Sequence, residues 1–266
     1  MSPDTWRLIL DEPRDGARNM AVDEALLEET AAGRSPPTLR LYAWNPPTLS
    51  LGFAQQAADA DRKALRRLGW GLVRRPTGGR AILHTDELTY AIAGPESHPL
   101  LRGGVLESYR RLSLGLLAGL KLLGVAARAD SGGRSRRAGN PVCFEVSSKY
   151  EISVDWRKLV GSAQARRLGG VLQHGALPLC GDLARILQVL ANPDSTAERI
   201  RRRAVTLADL LGREVPWTEA AEAVARGFAE TFEIQMQRGE LTEQEKTRTG
   251  ELARRKYGSE EWTGRV

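Results

Sequence analysis

At 266 residues the chain is long enough to bury a sizeable core, as one large domain or a domain with a small appendage. With 41% hydrophobic and 27% charged residues, no run of about eighteen apolar residues to span a bilayer and no signal-peptide core behind the polar Met1–Arg7, the expected class is a cytoplasmic globular protein. Two cysteines far apart, Cys143 and Cys180, argue against a disulfide framework or a zinc site, while a net charge of +6 and a pI near 9.6 favour acidic partners without choosing among nucleic acid, a membrane surface and an acidic protein.

Trp6–Leu10 reads as a strand, followed by a polar turn and a helix capped by Asn19, with Asp23 and Glu24 in its first turn where the helix dipole favours carboxylates. Thr38–Trp44 alternates Leu39, Leu41 and Ala43 against Arg40, Tyr42 and Trp44, the pattern of a half-buried strand. Strand Thr48–Gly52 and helix Asp59–Leu68 lead into a loop, and Leu88–Ala93 is a strand beyond it. From Gly104, leucines at helical spacing predict a long helix that covers one face of a sheet. Residues 130–141 hold no apolar side chain larger than alanine or proline and read as a mobile basic loop delivering the chain to Cys143. Tyr150–Val154 and Lys158–Val160 form a hairpin turning at Asp155-Trp156-Arg157, and Gly170–Leu179 is a further strand. Thr206 caps a short helix, Trp217–Gln235 is helical by pattern, and Thr242 to Glu245 is a capping box. These last helices carry less apolar surface than a sheet core demands. The expected division is a catalytic core over 1–190 and a helical C-terminal extension over 191–266.

The loop is the most distinctive stretch. In Arg74-Arg75-Pro76-Thr77-Gly78-Gly79-Arg80-Ala81-Ile82-Leu83-His84, Pro76 holds Arg75 extended and the glycines let a ligand approach the main chain. Such a loop, with N–H groups beside guanidinium charge, suits a carbonyl, carboxylate or phosphate. The plainer reading is a β-hairpin with a Gly-Gly turn and solvated arginines. The three histidines, His84, His98 and His174, lack partners at metal spacing, so no metal site is expected. Neither a GxxxxGK[ST] phosphate loop nor a GxSxG elbow occurs. Cys143 follows the basic loop, where nearby cations favour the thiolate; a fall in pKa from about 8.5 toward 7 corresponds to roughly 2 kcal/mol. The alternative for Cys143 is a small buried hydrophobe, and for His84 and His174 satisfied core residues.

Together the 74–84 loop, Lys158-Leu159-Val160-Gly161-Ser162-Ala163-Gln164 and Gln173-His174-Gly175 resemble the biotin and lipoate protein ligase superfamily. Asn19–Leu27 and the stretch from Leu39 to Gly52 are similar as well. Arg80 after Gly78-Gly79, with Cys143-Phe144 ahead of Lys158, resembles its cysteine-dependent octanoyltransferases of lipoate assembly. ATP-dependent lipoate ligases usually carry a third glycine in the loop and do without such a cysteine. The resemblance implies an α+β fold, a mixed, largely antiparallel sheet flanked by helices. It implies transfer of an octanoyl group from acyl carrier protein to a lysine of a lipoyl-domain protein, typically the glycine-cleavage H protein, without cofactor, metal, nucleic acid or membrane, by a monomer. Carried over by position, Cys143 holds the acyl thioester and Lys158 lowers its pKa, with Lys149 the competing lysine. Arg75, Thr77, Gly78, Gly79, Arg80, Gly161, Ser162 and Ala163 line the acyl tunnel, with His84 and His174 nearby, and the arginines at 134–137 meet the carrier protein's acidic surface. Two other classes stay open: an ATP-dependent lipoate or biotin ligase, and a non-catalytic binder of acyl carrier protein or nucleic acid.

Overall fold

A computed structural model of the chain describes residues 4–129 and 151–266. In chain order the elements are β1 (Thr5–Leu10), α1 (Gly16–Ala31), β2 (Thr38–Tyr42), β3 (Thr48–Leu51), α2 (Arg62–Leu68), β4 (Gly71–Arg74), β5 (Ile82–His84), β6 (Glu87–Pro95) and α3 (Val105–Leu122). There follow β7 (Arg128–Ala129), β8 (Ile152–Val154), β9 (Arg157–Arg167), β10 (Gly170–Pro178), α4 (Ala197–Arg203), α5 (Leu207–Leu211), α6 (Trp217–Phe232), β11 (Gln235–Arg238), α7 (Glu243–Leu252) and α8 (Glu260–Thr263). Cys143, Lys149 and the basic stretch 134–137 lie outside the described residues.

Eight strands form one sheet in the order β11-β1-β2-β6-β10-β9-β8-β7. β1 pairs parallel with both β2 and β11, and the other neighbours are antiparallel. The fold is therefore the mixed, largely antiparallel α+β arrangement. Both faces are covered, which changes how its strands read. One face packs on α3 and α6 through Leu112, Leu116, Leu120, Val224 and Phe228; the other packs on α1 through Met20, Ala21, Ala25 and Leu27. The half-buried expectation for β2 fails for this reason. All five of its residues are buried, and Arg40 is fully enclosed.

A second sheet, β4-β3-β5, places β3 at its centre. β3 pairs parallel with β4 and antiparallel with β5, so the strands flanking the 75–81 loop never pair with each other and the hairpin reading is replaced by a loop that steps over β3. The start of α1 also differs from expectation. Asp15 caps it, its carboxylate accepting from the Arg18 N–H at 2.9 Å, because Asn19 instead donates its amide to the Arg14 and Ala43 carbonyls and ties the helix to the end of β2. This shift carries Asp23 and Glu24 out of the first turn and into the interior.

In the C-terminal part the capping boxes at Thr206 and Thr242 form, while α6 stops at Phe232 and Glu233 adopts a left-handed conformation. The chain then adds β11 to the sheet. Glu245 of α7 accepts two hydrogen bonds from Arg7, at 2.8 and 2.6 Å, and one from Ser35. Trp262 of α8 donates its indole N–H to the Arg74 carbonyl at 2.8 Å, and the buried Arg74 guanidinium donates to the carbonyls of Gly52, Gln55, Thr263 and Arg265. Among the described residues no helix is long and apolar enough to cross a membrane.

Candidate functional site

Between the two sheets lies a cavity of about 170 Å³, comparable to cavities that hold a small apolar molecule such as benzene. Met20, Tyr42, Trp44, Ile82 and Ala176 give it apolar walls, and Ser50, Arg75, Arg80, His84, Glu151 and His174 add polar groups. Gly79, Thr89, Gly161, Ser162, Ala163 and Gly175 complete its lining. The structure thus brings the 75–84 stretch, the middle of β9 and the middle of β10 to one place. Thr77 stands behind this wall, bonded to His174, and Gly78 contributes a carbonyl to Arg75.

The loop is held by its own arginine. Arg75 donates to the carbonyls of Gly78, Arg80 and Ser50, and to Ser50 Oγ at 3.0 Å. Its charge stays beside the cavity while its hydrogen bonds fix the loop. On β10, Gly175 sits between Tyr90 and Ser162 of the adjacent strands. The Tyr90 hydroxyl donates to Ser162 Oγ at 2.6 Å, and a Cβ at Gly175 would lie 2.7 Å from the Tyr90 ring and 2.6 Å from Ser162 Oγ. Only glycine leaves room for this bridge. Burial pushes the Tyr90 phenol up to about 12, so it remains a donor at neutral pH. Gln164 bonds to Gln173 and Ser108 on the α3 side of the sheet.

Two histidine–carboxylate pairs face the cavity. His174 Nδ1 lies 2.9 Å from Asp23 Oδ2 and its Nε2 2.7 Å from Thr77 Oγ1. Asp23 also accepts from Arg40 at 2.7 Å and from Tyr42 at 2.9 Å. Burial pushes the Asp23 carboxyl up, but hydrogen bonds and charge from His174 and Arg40 outweigh it and leave a net lowering. Burial lowers the His174 pKa despite Asp23, so the ring is neutral, with its proton on Nδ1 toward the carboxylate. Burial, and next the Asp23 charge, push Tyr42 well above its ordinary value. The second pair joins His84 Nδ1 to Glu87 Oε1 at 2.6 Å and His84 Nε2 to Ser50 Oγ at 2.8 Å. His84 stacks on Trp44 with centroids 3.9 Å apart.

Lys158 is buried and donates to Glu151 at 2.5 Å; Glu151, and not Lys158, reaches the cavity wall. Cys180 is half-buried, and burial, followed by the charges of Asp86 and Glu214, pushes its thiol up, the direction that disfavours a thiolate nucleophile. Among the described residues no group of His, Cys, Asp and Glu could hold a metal ion. Sequence reasoning missed Asp23, Ser50, Glu87 and Glu151 as members of this site. Asp23 and Arg40 carried one usable signal, opposite charges set among apolar residues in two adjoining elements.

The family model of the lipoyl protein ligase A/B catalytic domain matches residues 15–229. An octanoyltransferase LipM from Symbiobacterium thermophilum is 44% identical over 98% of this chain and 98% of its own length. The octanoyltransferase LipM of Kyrpidia tusciae is 46% identical over 98% and 99%. Among solved structures, a lipoate-protein ligase A bound with ATP superposes with a TM-score of 0.83 at 28% identity, covering 98% of this chain and 100% of that one. A bi-partite lipoate protein ligase from Thermoplasma acidophilum gives 0.83 at 27% identity, covering 98% and 97%. With its central β10, its two-sheet cavity and this full-length likeness, the chain belongs to the lipoyl protein ligase A/B catalytic-domain family.

Proposed function

We propose that the protein is an octanoyltransferase of protein lipoylation, taking octanoyl from acyl carrier protein and delivering it to a lysine of a lipoyl-accepting protein such as the glycine-cleavage H protein. The observation that carries this reading is the likeness of the chain, end to end, to octanoyltransferases 44% and 46% identical. The apolar-walled cavity under the Arg75–Arg80 loop agrees with an acyl chain as the bound group. In the first half-reaction the Cys143 thiolate attacks the carrier thioester; the new Sγ–acyl bond forms as the carrier thiolate leaves. In the second, the acceptor lysine amine attacks the same carbonyl, loses a proton, and expels Cys143 as thiolate with formation of the amide. Exchange between thioesters is close to thermoneutral and the amide is more stable, so no nucleotide is consumed. One covalent intermediate divides transfer between two bulky partners into two separate encounters.

In this reading Lys158 favours the Cys143 thiolate, Arg75 and Thr77 to Arg80 shape the acyl site with Gly161, Ser162, Ala163, His84 and His174, and the enzyme works as a cytoplasmic monomer. The arginines at 134–137 would speed encounter with an acidic carrier. Residues 191–266 brace the core through the Arg74 and Glu245 contacts and also enter it, since α6 packs Val224 and Phe228 on the main sheet. A second reading, an ATP-dependent ligase, draws on the superposition with a ligase bound with ATP, at lower identity than the octanoyltransferases. The test is transfer to a lipoyl domain by nucleotide-free enzyme. Octanoyl-loaded carrier protein should give the amide without ATP, and free octanoate with ATP should be a poor donor; ligation from octanoate and ATP with none from the carrier would reverse the assignment.

A further inference from the structure

A serine nucleophile needs a base within hydrogen-bond reach and a third group that orients the base. Ser50 and His84, both buried at the cavity wall, and Glu87 behind the His84 ring meet both conditions. Ser50 is the third residue of the central strand of the small sheet, and both Ser50 and His84 line the cavity. Glu87 Oε1 is 2.6 Å from His84 Nδ1 and also accepts from Thr89 Oγ1 at 2.5 Å; Trp44 donates to Thr89 at 2.8 Å and stacks on the His84 ring. A carboxylate at Nδ1 selects the tautomer with its proton there, and in the singly protonated ring Nε2 is then the acceptor that faces Ser50 Oγ at 2.8 Å. That arrangement leaves the serine proton directed at a base whose orientation is fixed from three sides.

Arg75 adds a charge. Its guanidinium donates to Ser50 Oγ at 3.0 Å, which favours the alkoxide character that develops as the proton leaves. A hydroxyl oxygen has two lone pairs, so one remains for attack while the other accepts from Arg75.

The geometry points to Ser50 as a second acyl-accepting nucleophile in the cavity, activated by His84 and Glu87, through which octanoyl thioesters are hydrolysed when they are not passed to a lysine. The acyl group rests on the octanoyl-transfer reading; the serine chemistry rests on the three side chains. In the first step Ser50 Oγ bonds to the thioester carbonyl carbon, its proton passes to His84 Nε2, and the C–S bond breaks with the proton returned to the departing thiolate. In the second, water attacks the serine ester, His84 takes the water proton, and Ser50 leaves and regains it, releasing octanoic acid.

The experiment uses full-length Cys143→Ala protein, which has lost the cysteine route. An octyl fluorophosphonate should phosphonylate Ser50, read by peptide mapping, and Glu87→Gln in the same background should slow labelling by about a hundredfold. Octanoate release from octanoyl-carrier protein should be faster for Cys143→Ala than for Cys143→Ala/Ser50→Ala by a similar factor. Cys143→Ala/Ser50→Cys controls for folding: octanoyl should appear on residue 50 as a hydroxylamine-labile thioester. An unlabelled Ser50, or equal octanoate release with and without it, overturns the proposal. Wild-type protein assayed alongside separates the two claims, since a missing Cys143 thioester there counts against octanoyl transfer and not against Ser50.

Discussion

Replacing Asp23 with asparagine tests the charged network beneath the cavity. The carboxylate is fully buried and accepts from Arg40, Tyr42 and His174 at 2.7, 2.9 and 2.9 Å. Asparagine keeps the volume but turns one acceptor into a donor facing a donor, and it removes the charge opposite Arg40. Breaking a buried ion pair costs about 3–5 kcal/mol. Arg40 keeps Asp11 at 2.8 Å and Asn19 Oδ1 at 2.7 Å, so the expected loss lies at the lower end, about 3 kcal/mol. At about 2–4 °C per kcal/mol for a chain of this size, Tm should fall by roughly 6–12 °C. Urea unfolding with an unchanged m-value reads the loss directly.

The pH dependence follows from the same contacts. Asp23 has a folded pKa below its unfolded value. Its contribution is complete above about pH 4 and is lost as pH falls through the folded value, so the gap between wild type and Asp23→Asn should narrow in acid. His174, lowered by burial, contributes stability that is complete above its unfolded value near about 6.5 and shrinks as pH falls. A loss below about 1 kcal/mol at pH 7, or a gap that widens in acid, would mean that the Asp23 carboxylate is not the buried charge partner of Arg40 and His174.

Three further outcomes are expected. Gly52→Ala would place a Cβ 1.9 Å from the Gly79 carbonyl oxygen; the loop must retreat, at a cost of about 1–3 kcal/mol, and KM for the acyl donor should rise more than kcat falls. Arg74→Lys keeps the charge but cannot reach the carbonyls of both the 52–55 loop and residues 262–265, so hydrogen exchange should accelerate in both segments and stability should drop by at least about 2 kcal/mol. Lys158→Ala should raise the Cys143 pKa and slow thioester formation, read from the pH dependence of Cys143 alkylation; a profile unmoved by that change but shifted upward by Lys149→Ala would give the role to Lys149.

Much of the architecture was legible because local signals and tertiary demands agree. The loop of Arg74 to His84 and the capping boxes follow from residues that dictate their own backbone, whereas the turn at Asp155-Trp156 holds both residues at positive φ, which tryptophan does not favour by itself. β11 was not legible: Gln235–Arg238 is a largely exposed strand whose only cause is the open edge of β1, far away in sequence. The pairing of β4 and β5 with β3, and not with each other, is likewise a tertiary choice. Asp23 was misassigned because an acidic residue near a helix start fits the dipole rule, and nothing local shows that Asp15 takes the cap. Ser50 lies in an apolar strand with no motif, and the groups around it come from the loop after β4, from β5 and from β6.

The most direct measurement is the intact mass of nucleotide-free enzyme mixed with octanoyl-loaded acyl carrier protein, followed by peptide mapping and hydroxylamine treatment. The account predicts one octanoyl group on Cys143 as a labile thioester, discharged by a lipoyl-accepting protein, with Cys180 unmodified. No adduct under conditions that support transfer, or a thioester carried by Cys180 and retained in Cys143→Ala, would contradict it.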